Sequence, residues 1–222
     1  MGEEDFTVVI AGEEFRIPKG ALARYATEGG TARTLRDYDS RANEWKSTLT
    51  SGDLALTRRM YSRISNDEAT WFLDRASSAP FESVTKKDKL ADADPTDGPD
   101  GLYWRADRLF NHFREPRQPG VALGKISKVL HLMRPEVFPI LDARVVRHYS
   151  RYARQVAQDL NTQYRRTYFA AIRLDLVDPV TREGLTAIRT WARAEGGALD
   201  RLGGVTDVRL LDIITWTPTV GG

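Results

Sequence analysis

The sequence predicts a mostly α-helical fold with one small β-hairpin near the N-terminus. Apolar residues recur along most of the chain at the i, i+3, i+4, i+7 spacing of a buried helix face. The clearest run is Ile126, Val129, Leu130 and Met133. The hairpin is predicted at residues 6–17, where the β-prone runs FTVVI and EFRI flank a short turn.

Capping and turn residues predict the order of the helices. A short helix at about 20–27 ends before Gly29-Gly30. Asp53 is predicted to cap the next helix, and Ser65 or Asn66 the one after it. Further helices are predicted at about 102–114, 124–133, 143–158, 161–174, 180–194 and 206–214.

A polar stretch with two prolines and two glycines, residues 85–101, is the best internal boundary. It separates an N-terminal hairpin and helical region, 1–84, from a helical region, 102–222, and we expect the two to form one compact unit. The stretch contains the spacing DADPTDGPD, which is reminiscent of a calcium loop. The prolines disrupt that pattern and no glutamate closes it, so we interpret it as a solvated surface loop.

Composition excludes several classes of site. The chain has 222 residues, 3 histidines and no cysteine. Disulfides, thiolate metal sites and iron–sulfur clusters are therefore excluded, and the dispersed histidines argue against zinc. No apolar run is long enough to span a membrane, and MGEEDFTVVI lacks the zones of a signal peptide. We expect a cytoplasmic protein without a metal or other cofactor and without a membrane partner.

The net charge of +2 hides a basic central block. Residues 101–173 hold 14 Lys and Arg against 5 Asp and Glu, a net charge of +9. Residues 1–100 hold 14 against 19, and residues 174–222 hold 5 against 7. A basic block between acidic flanks indicates a polyanionic partner, although a solvated arginine-rich surface would give the same counts.

Two glycines mark a turn between helices within this block. Gly120 and Gly124 flank the sequence VAL, and Lys125 and Lys128 follow in the next helix. The first amides of a helix lack internal partners and can bind a phosphate. We interpret this segment as a contact to nucleic-acid backbone; a helical hairpin used only for packing remains the alternative.

After the next helix, the chain runs through an apolar extended stretch to Asp142, directly before another helix. The segment GVALGKISKVLHLMRPEVFPILDARV, residues 120–145, resembles the signature of the helix-hairpin-helix DNA glycosylase superfamily. That signature is a glycine hairpin, an apolar helix, a loop and an aspartate before a helix. The similarity is firm over these residues and looser over 101–160. Segments such as SRIS at 62–65 and RLLDI at 209–213 resemble an uncharacterised bacterial family built on this core.

The resemblance implies a role for Asp142. In such enzymes the aspartate stabilises positive charge on the sugar as the base departs and helps to orient the nucleophile. An oxocarbenium-like transition state needs a fixed anion of this kind. The alternative is that Asp142 serves only as a helix cap. Bifunctional members also use a lysine as Schiff-base nucleophile, for which Lys125 is the nearest candidate. When the motif is aligned with that of the bifunctional members, Lys125 lies about one position away from their nucleophilic lysine. We therefore expect a monofunctional enzyme that uses water.

The helix after Asp142 carries an arginine stripe. The stripe falls on one face at i, i+3, i+7 and i+10 and consists of Arg144, Arg147, Arg151 and Arg154. We interpret it as a contact to DNA backbone, with an ordinary solvated face as the alternative. Tyr103 and Trp104 are the candidates for a base pocket. We assign the remaining tryptophans to packing, and His131 and His148 to structure or phosphate contact.

The sequence therefore predicts a helical, glycosylase-like bundle with a helix-hairpin-helix motif. Its expected activity in DNA repair is base excision from double-stranded DNA: base flipping, followed by hydrolysis of the N-glycosidic bond of a damaged or modified base. A non-catalytic helix-hairpin-helix DNA-binding module is the alternative. A related core acting on free nucleotides is a third interpretation, although no GxxxxGK[ST] phosphate loop is present.

Overall fold

The computed structural model describes residues 5–217, and the first four residues of the acidic N-terminal segment lie outside that range. The fold is mostly helical, with one two-stranded antiparallel sheet formed by β1, Phe6–Ile10, and β2, Glu13–Ile17. The turn places Ala11 and Gly12 at φ 54° and 79°, the left-handed conformation that suits a tight hairpin. The predicted hairpin and the predominantly helical class are both confirmed.

The helices differ in length, and the longest two have 17 residues each. In chain order they are α1 Lys19–Thr27, α2 Gly29–Thr34, α3 Ser40–Ala42, α4 Ser51–Leu56, α5 Asn66–Ser77, α6 Leu102–His112, α7 Leu123–Met133, α8 Ala143–Asp159, α9 Tyr168–Val177, α10 Pro179–Glu195, α11 Asp200–Gly204 and α12 Asp207–Trp216. A π-helical turn, Leu35–Asp39, joins α2 to α3. Short 3₁₀ turns lie at Thr57–Met60, Phe81–Ser83 and Leu90–Asp92.

Two details of the predicted helices are corrected. The N-cap of α4 is Thr50, and Asp53 completes a capping box from the third helical position. The helix predicted at 161–174 begins seven residues later, at Tyr168. The chain leaves α8 through Asn161 at φ 48°, which ends helical geometry before the next helix can start. Ser65 caps α5 as predicted.

The polar stretch 85–101 packs against the rest of the protein. Leu90 and Ala93 are fully buried, and the Leu90 amide donates to the Glu136 carbonyl. Asp94 forms an ion pair with Arg173 at 2.6 Å. The main hydrophobic core contains residues from both sides of this stretch. Within residues 5–217, no group of three or more His, Cys, Asp and Glu is placed to hold a metal ion.

Two side-chain contacts fix the segment that leads to Asp142. Ser127 on α7 accepts a hydrogen bond from the Leu141 amide at 2.9 Å. The buried ring of His131 donates from Nδ1 to the Phe138 carbonyl at 2.7 Å. Burial lowers the pKa of His131 to about 3, so the ring is neutral and the bond is maintained. Helix α12 packs against α8 beside this segment. Of the helices in the described part of the chain, none has the length and apolarity to cross a membrane.

Candidate functional site

Asp142 is the N-cap of α8, and its half-buried carboxylate is held by three N–H donors. Its Oδ1 accepts from the amides of Arg144 and Val145 at 2.9 and 3.0 Å. Its Oδ2 accepts from Nε1 of Trp216 at 2.9 Å. Both oxygens are therefore oriented by groups on two helices, α8 and α12, and the carboxylate has a fixed position.

A pocket of 730 Å³, the Asp142 pocket, opens beside this carboxylate. Its aromatic and apolar wall consists of Tyr25, Met60, Tyr61 and Trp216. Its charged lining consists of Lys128, Asp142, Arg144, Arg147 and Arg209. The volume lies within the range of roughly 300–1,000 Å³ that is usual for pockets holding small organic groups.

A second concavity of 630 Å³, the hairpin cleft, adjoins the pocket. The two share Tyr61, Lys128, Asp142 and Ala143. The hairpin cleft extends from Asp142 toward Gly120, Gly124 and Lys125. Together the cleft and the pocket join the glycine turn, the start of α7 and the start of α8 in one continuous depression.

Lys128 occupies an unusual position in the lining of both concavities. Its side chain is only 8% exposed. Within residues 5–217, no group accepts a hydrogen bond from its ammonium and no carboxylate lies within ion-pair distance. Burial lowers the pKa of Lys128, while the negative charges of Asp142 and Asp212 oppose that shift. The pocket lining therefore contains an amine, on a side chain that is mostly buried, whose hydrogen-bonding capacity is unused within residues 5–217.

Beneath the pocket, Arg209 is buried between two carboxylates. Its Nε donates to Asp39 at 2.7 Å, its Nη1 pairs with Asp212, and its Nη2 donates to the Tyr25 hydroxyl at 3.1 Å. Burial raises the pKa of Asp212 to about 7, although Arg209 opposes the shift. The other oxygen of Asp212, Oδ1, is buried without a hydrogen bond. Arg209 is thus neutralised by its partners.

Trp216 is a functional candidate that sequence reasoning missed, because it was assigned to packing. Its ring is 37% exposed, lines the Asp142 pocket and lies 5.4 Å from the guanidinium of Arg144. A signal existed in the sequence: Arg209, Asp212 and Trp216 recur at i, i+3 and i+7 on one face of an otherwise apolar helix. Charged residues on a buried face indicate a polar site.

Residues 18–219 match the sequence profile of a family of unknown function, DUF6308. The chain belongs to DUF6308. No curated protein matches the chain, and no solved structure does. The comparisons do not link DUF6308 to the helix-hairpin-helix glycosylases, so the function of this DUF6308 member has to be argued from its own site.

In this DUF6308 protein, Lys125 lines the hairpin cleft, but its ammonium is already bound. Glu68 on α5 accepts two hydrogen bonds from Nζ of Lys125, at 2.6 and 2.7 Å. Burial would raise the pKa of Glu68, but the bonds from Lys125 and Ser65 outweigh it and hold the pKa below its usual value. Gly120, at φ +81°, lies directly over this carboxylate, where a Cβ would come within 2.2 Å of Oε1.

The predicted DNA contacts Gly124, Arg144 and Arg147 lie around Asp142. A Cβ at Gly124 would be 3.4 Å from the Leu141 carbonyl, so the start of α7 packs on the backbone leading to Asp142. Arg144 and Arg147 line the pocket. Arg151 and Arg154 continue the stripe along α8 and are exposed. Within the described residues, none of these four arginines forms an ion pair.

Tyr103 and Trp104 do not line the Asp142 pocket. Tyr103 is buried beside Asp107 and Tyr164, and Nε1 of Trp104 donates to the Pro95 carbonyl at 2.9 Å. Tyr103 belongs to the buried face of α6, whereas the half-buried Trp104 packs against the stretch 85–101. Three aromatic residues do line the pocket: Tyr25, Tyr61 and Trp216. They come from segments that are far in sequence from the glycine turn at residues 120–124.

Proposed function

We propose that this protein binds duplex DNA and hydrolyses the N-glycosidic bond of a damaged or modified base, with Asp142 as the catalytic carboxylate. The observation that carries the proposal is the position of Asp142, in the lining of a 730 Å³ pocket with an aromatic wall, at the start of an arginine-lined helix. A base has to leave the duplex stack to reach such a carboxylate.

The pocket wall fits an extruded base. Tyr25, Tyr61 and Trp216 supply aromatic surface, and Met60 adds a polarizable apolar side chain. An extruded base loses its stacking neighbours, and aromatic side chains replace them. Tyr61 is 76% exposed and adopts φ 54°, an uncommon conformation for a residue other than glycine. Such strain is concentrated at functional sites, and it supports a ligand contact at the rim.

Asp142 suits the charge that develops in this reaction. As the C1′–N bond breaks, its electron pair leaves with the base and positive charge builds on the sugar. A carboxylate held by the amides of α8 and by Trp216 stabilises that charge without reorganisation. Water then bonds through its oxygen to C1′, and one of its protons ends on the departed base. Asp142 assists by accepting that proton transiently.

The surface around the pocket suits a DNA backbone. Helices α6 and α7, with the loop 113–122 between them, would act as the helix-hairpin-helix motif. Ala122 supplies no side-chain cap for α7, which leaves its first amides for a phosphate. The exposed arginines of α8 would contact phosphates nearer the pocket. This arrangement supports double-stranded DNA as the partner, and with it a cytoplasmic location beside the chromosome.

The environment of Lys125 supports a monofunctional hydrolase. A Schiff base requires a free amine, whereas both carboxylate oxygens of Glu68 accept hydrogen bonds from Nζ of Lys125. Water attack at C1′ needs no covalent intermediate and no cofactor. The expected product is therefore an intact strand with an abasic site.

A non-catalytic DNA-binding module is the second candidate. The full N-cap geometry of Asp142 favours it, because two amide contacts explain the residue without chemistry. In that case the arginine stripe would carry the function alone, and the pocket would be incidental.

Strand scission by hot alkali distinguishes the two candidates. Duplex oligonucleotides that each carry one modified base are incubated with the wild-type protein and with Asp142→Asn, and duplex affinity is measured in parallel. The proposal predicts alkali-dependent scission by the wild type, its loss in Asp142→Asn, and equal binding by both proteins. Absence of scission on every duplex, with unchanged binding, would establish the binding module. Scission without alkali would contradict a monofunctional enzyme.

A further inference from the structure

We propose that the Asp142 pocket selects neutral bases bearing oxo groups, which depart as anions, and rejects cationic N-alkylated purines, with Lys128 as the residue that makes the selection. This inference rests on the proposed function, since it names the substrate class of the same pocket. Its basis is the distribution of free and compensated charge around the cavity.

Most of the charged groups in the pocket are already paired or occupied. Arg209 is neutralised by Asp39 and Asp212. Arg144 lies against the ring of Trp216. Among the described residues that line the pocket, Asp142 alone carries a carboxylate, and both of its oxygens accept hydrogen bonds from the protein. Lys128 differs, because within residues 5–217 its ammonium has no acceptor and no ion-pair partner although its side chain is only 8% exposed, whereas Arg147, which also forms no ion pair, is exposed.

An ammonium group has three donors and no acceptor, so its partner has to supply an oxygen or nitrogen lone pair. A buried, unpaired charge is unfavourable, and burial accordingly lowers the pKa of Lys128. An oxo group on a bound base would remove that cost. A base that presents a stronger hydrogen-bond acceptor to Lys128 would therefore bind more tightly in the pocket.

The same charge acts on the leaving group. When the C1′–N bond of a neutral base breaks, the base takes the electron pair and becomes an anion until it is protonated. Lys128 would stabilise that anion more than the neutral bound base, which is the condition for catalysis. A purine nucleoside alkylated at N3 or N7 is already cationic, and its base leaves as a neutral molecule. Lys128 would repel it on entry, and Arg147, also in the lining, would add to the repulsion.

Binding to uncleaved duplexes tests the selection separately from catalysis. The Asp142→Asn protein is titrated against duplexes that contain one hypoxanthine, one 8-oxoguanine, one 7-methylguanine or no modified base. Lys128→Met removes the charge and the donors, and Lys128→Gln removes only the charge. Lys87→Met, at an exposed lysine outside the pocket, is the matched control. Thermal unfolding of each variant verifies its fold.

We expect the neutral bases hypoxanthine and 8-oxoguanine to bind about tenfold or more tightly than the cationic 7-methylguanine, which also carries an oxo group but would place a second positive charge beside Lys128. Lys128→Met should abolish this preference, and Lys87→Met should retain it. Equal or tighter binding of 7-methylguanine, or a preference that survives in both Lys128 variants, would overturn the inference. If Lys128-dependent preference appears but the wild type releases no base, the selection holds and the proposed hydrolysis fails.

Discussion

At the residue scale, the carboxylate of Asp142 stabilises α8 whatever chemistry it performs. It accepts two amide hydrogen bonds that the first turn of α8 cannot otherwise make. Asparagine caps helices about as well as aspartate, whereas alanine does not. The two substitutions therefore separate the cap from the charge, and both also remove the oxygen that accepts the hydrogen bond from Trp216. The protein also contains a matched cap, because Asp178 holds the first amides of α10 in the same way.

We predict that Asp142→Asn leaves the free energy of unfolding nearly unchanged, while Asp142→Ala and Asp178→Ala each lower it by about 1 kcal/mol. Base release should be lost in both Asp142 variants and retained in Asp178→Ala. Urea unfolding and the alkali scission assay measure these quantities. Normal base release by Asp142→Asn would show that the residue is only a cap.

The sequence alone could place near the carboxylate those residues that are close to Asp142 in the chain. It could not place there the pocket residues that come from distant segments. Gly124, Lys128 and Arg144 all belong to one continuous stretch, so a local motif sufficed to place them near the carboxylate. Trp216 and Tyr61 enter the pocket from distant segments, and their position depends on how α12 and the turn before α5 pack. Tyr103 and Trp104 were selected for residue type alone, and type does not determine which way a helix face points.

At the element scale, α8 combines a buried apolar face with a basic exposed one. Val145, Tyr149 and Val156 are buried, and Arg147 and Arg151 are exposed. Within residues 5–217 these two arginines form no ion pair, so their charge is available to a polyanion. If α8 contacts DNA as proposed, each phosphate contact would release condensed counterions, and the affinity would depend on salt.

We predict that Arg147→Gln and Arg151→Gln each weaken duplex binding. Each should also reduce the steepness of log affinity against log salt concentration by about 0.9, and the double variant should reduce it by about twice as much. The exposed Arg182 on α10 provides the control, because Arg182→Gln removes the same charge away from the pocket. Fluorescence anisotropy at several salt concentrations measures the slopes. Equal slopes for all variants would mean that α8 does not contact DNA.

At the scale of the whole molecule, periodicity predicted which segments are helical but not what each helix packs against. The spacing of apolar residues predicted α7, α8 and α10 to within one or two residues. The polar stretch 85–101 was expected to be solvated, yet Leu90 and Ala93 are buried in it. Its few apolar residues have no regular spacing, so only the tertiary structure reveals that they join the core.

The buried His131 is expected to make the free energy of unfolding depend on pH. Its pKa is about 3 in the folded state, below the ordinary value of 6.5, because burial disfavours the charged ring. At pH values between about 3 and 6.5, His131 is therefore protonated in the unfolded chain but not in the folded one. The free energy of unfolding falls as the pH drops through this window. Burial raises the pKa of Asp175 to about 6 and of Asp212 to about 7, which has the opposite effect.

We predict that His131→Asn, which keeps a donor for the Phe138 carbonyl, changes the pH dependence of stability. Between pH 6 and pH 4, the wild type should lose about 1.4 kcal/mol per pH unit relative to the variant. Comparing the two proteins cancels the contributions of Asp175 and Asp212. Urea unfolding at each pH measures the difference, and parallel curves would contradict a neutral, buried His131.

The most direct measurement of whether a base enters the Asp142 pocket is the fluorescence of 2-aminopurine beside a mismatched uracil in a duplex. A mismatch lowers the cost of extrusion, and loss of the neighbouring base brightens 2-aminopurine. The Asp142→Asn protein is expected to bind the duplex without cleaving it. Thr31→Trp, added to that variant, should fill the pocket, since Thr31 belongs to its lining. We predict that Asp142→Asn brightens the probe, whereas the double variant binds equally and does not. Equal emission from both bound proteins would contradict the account.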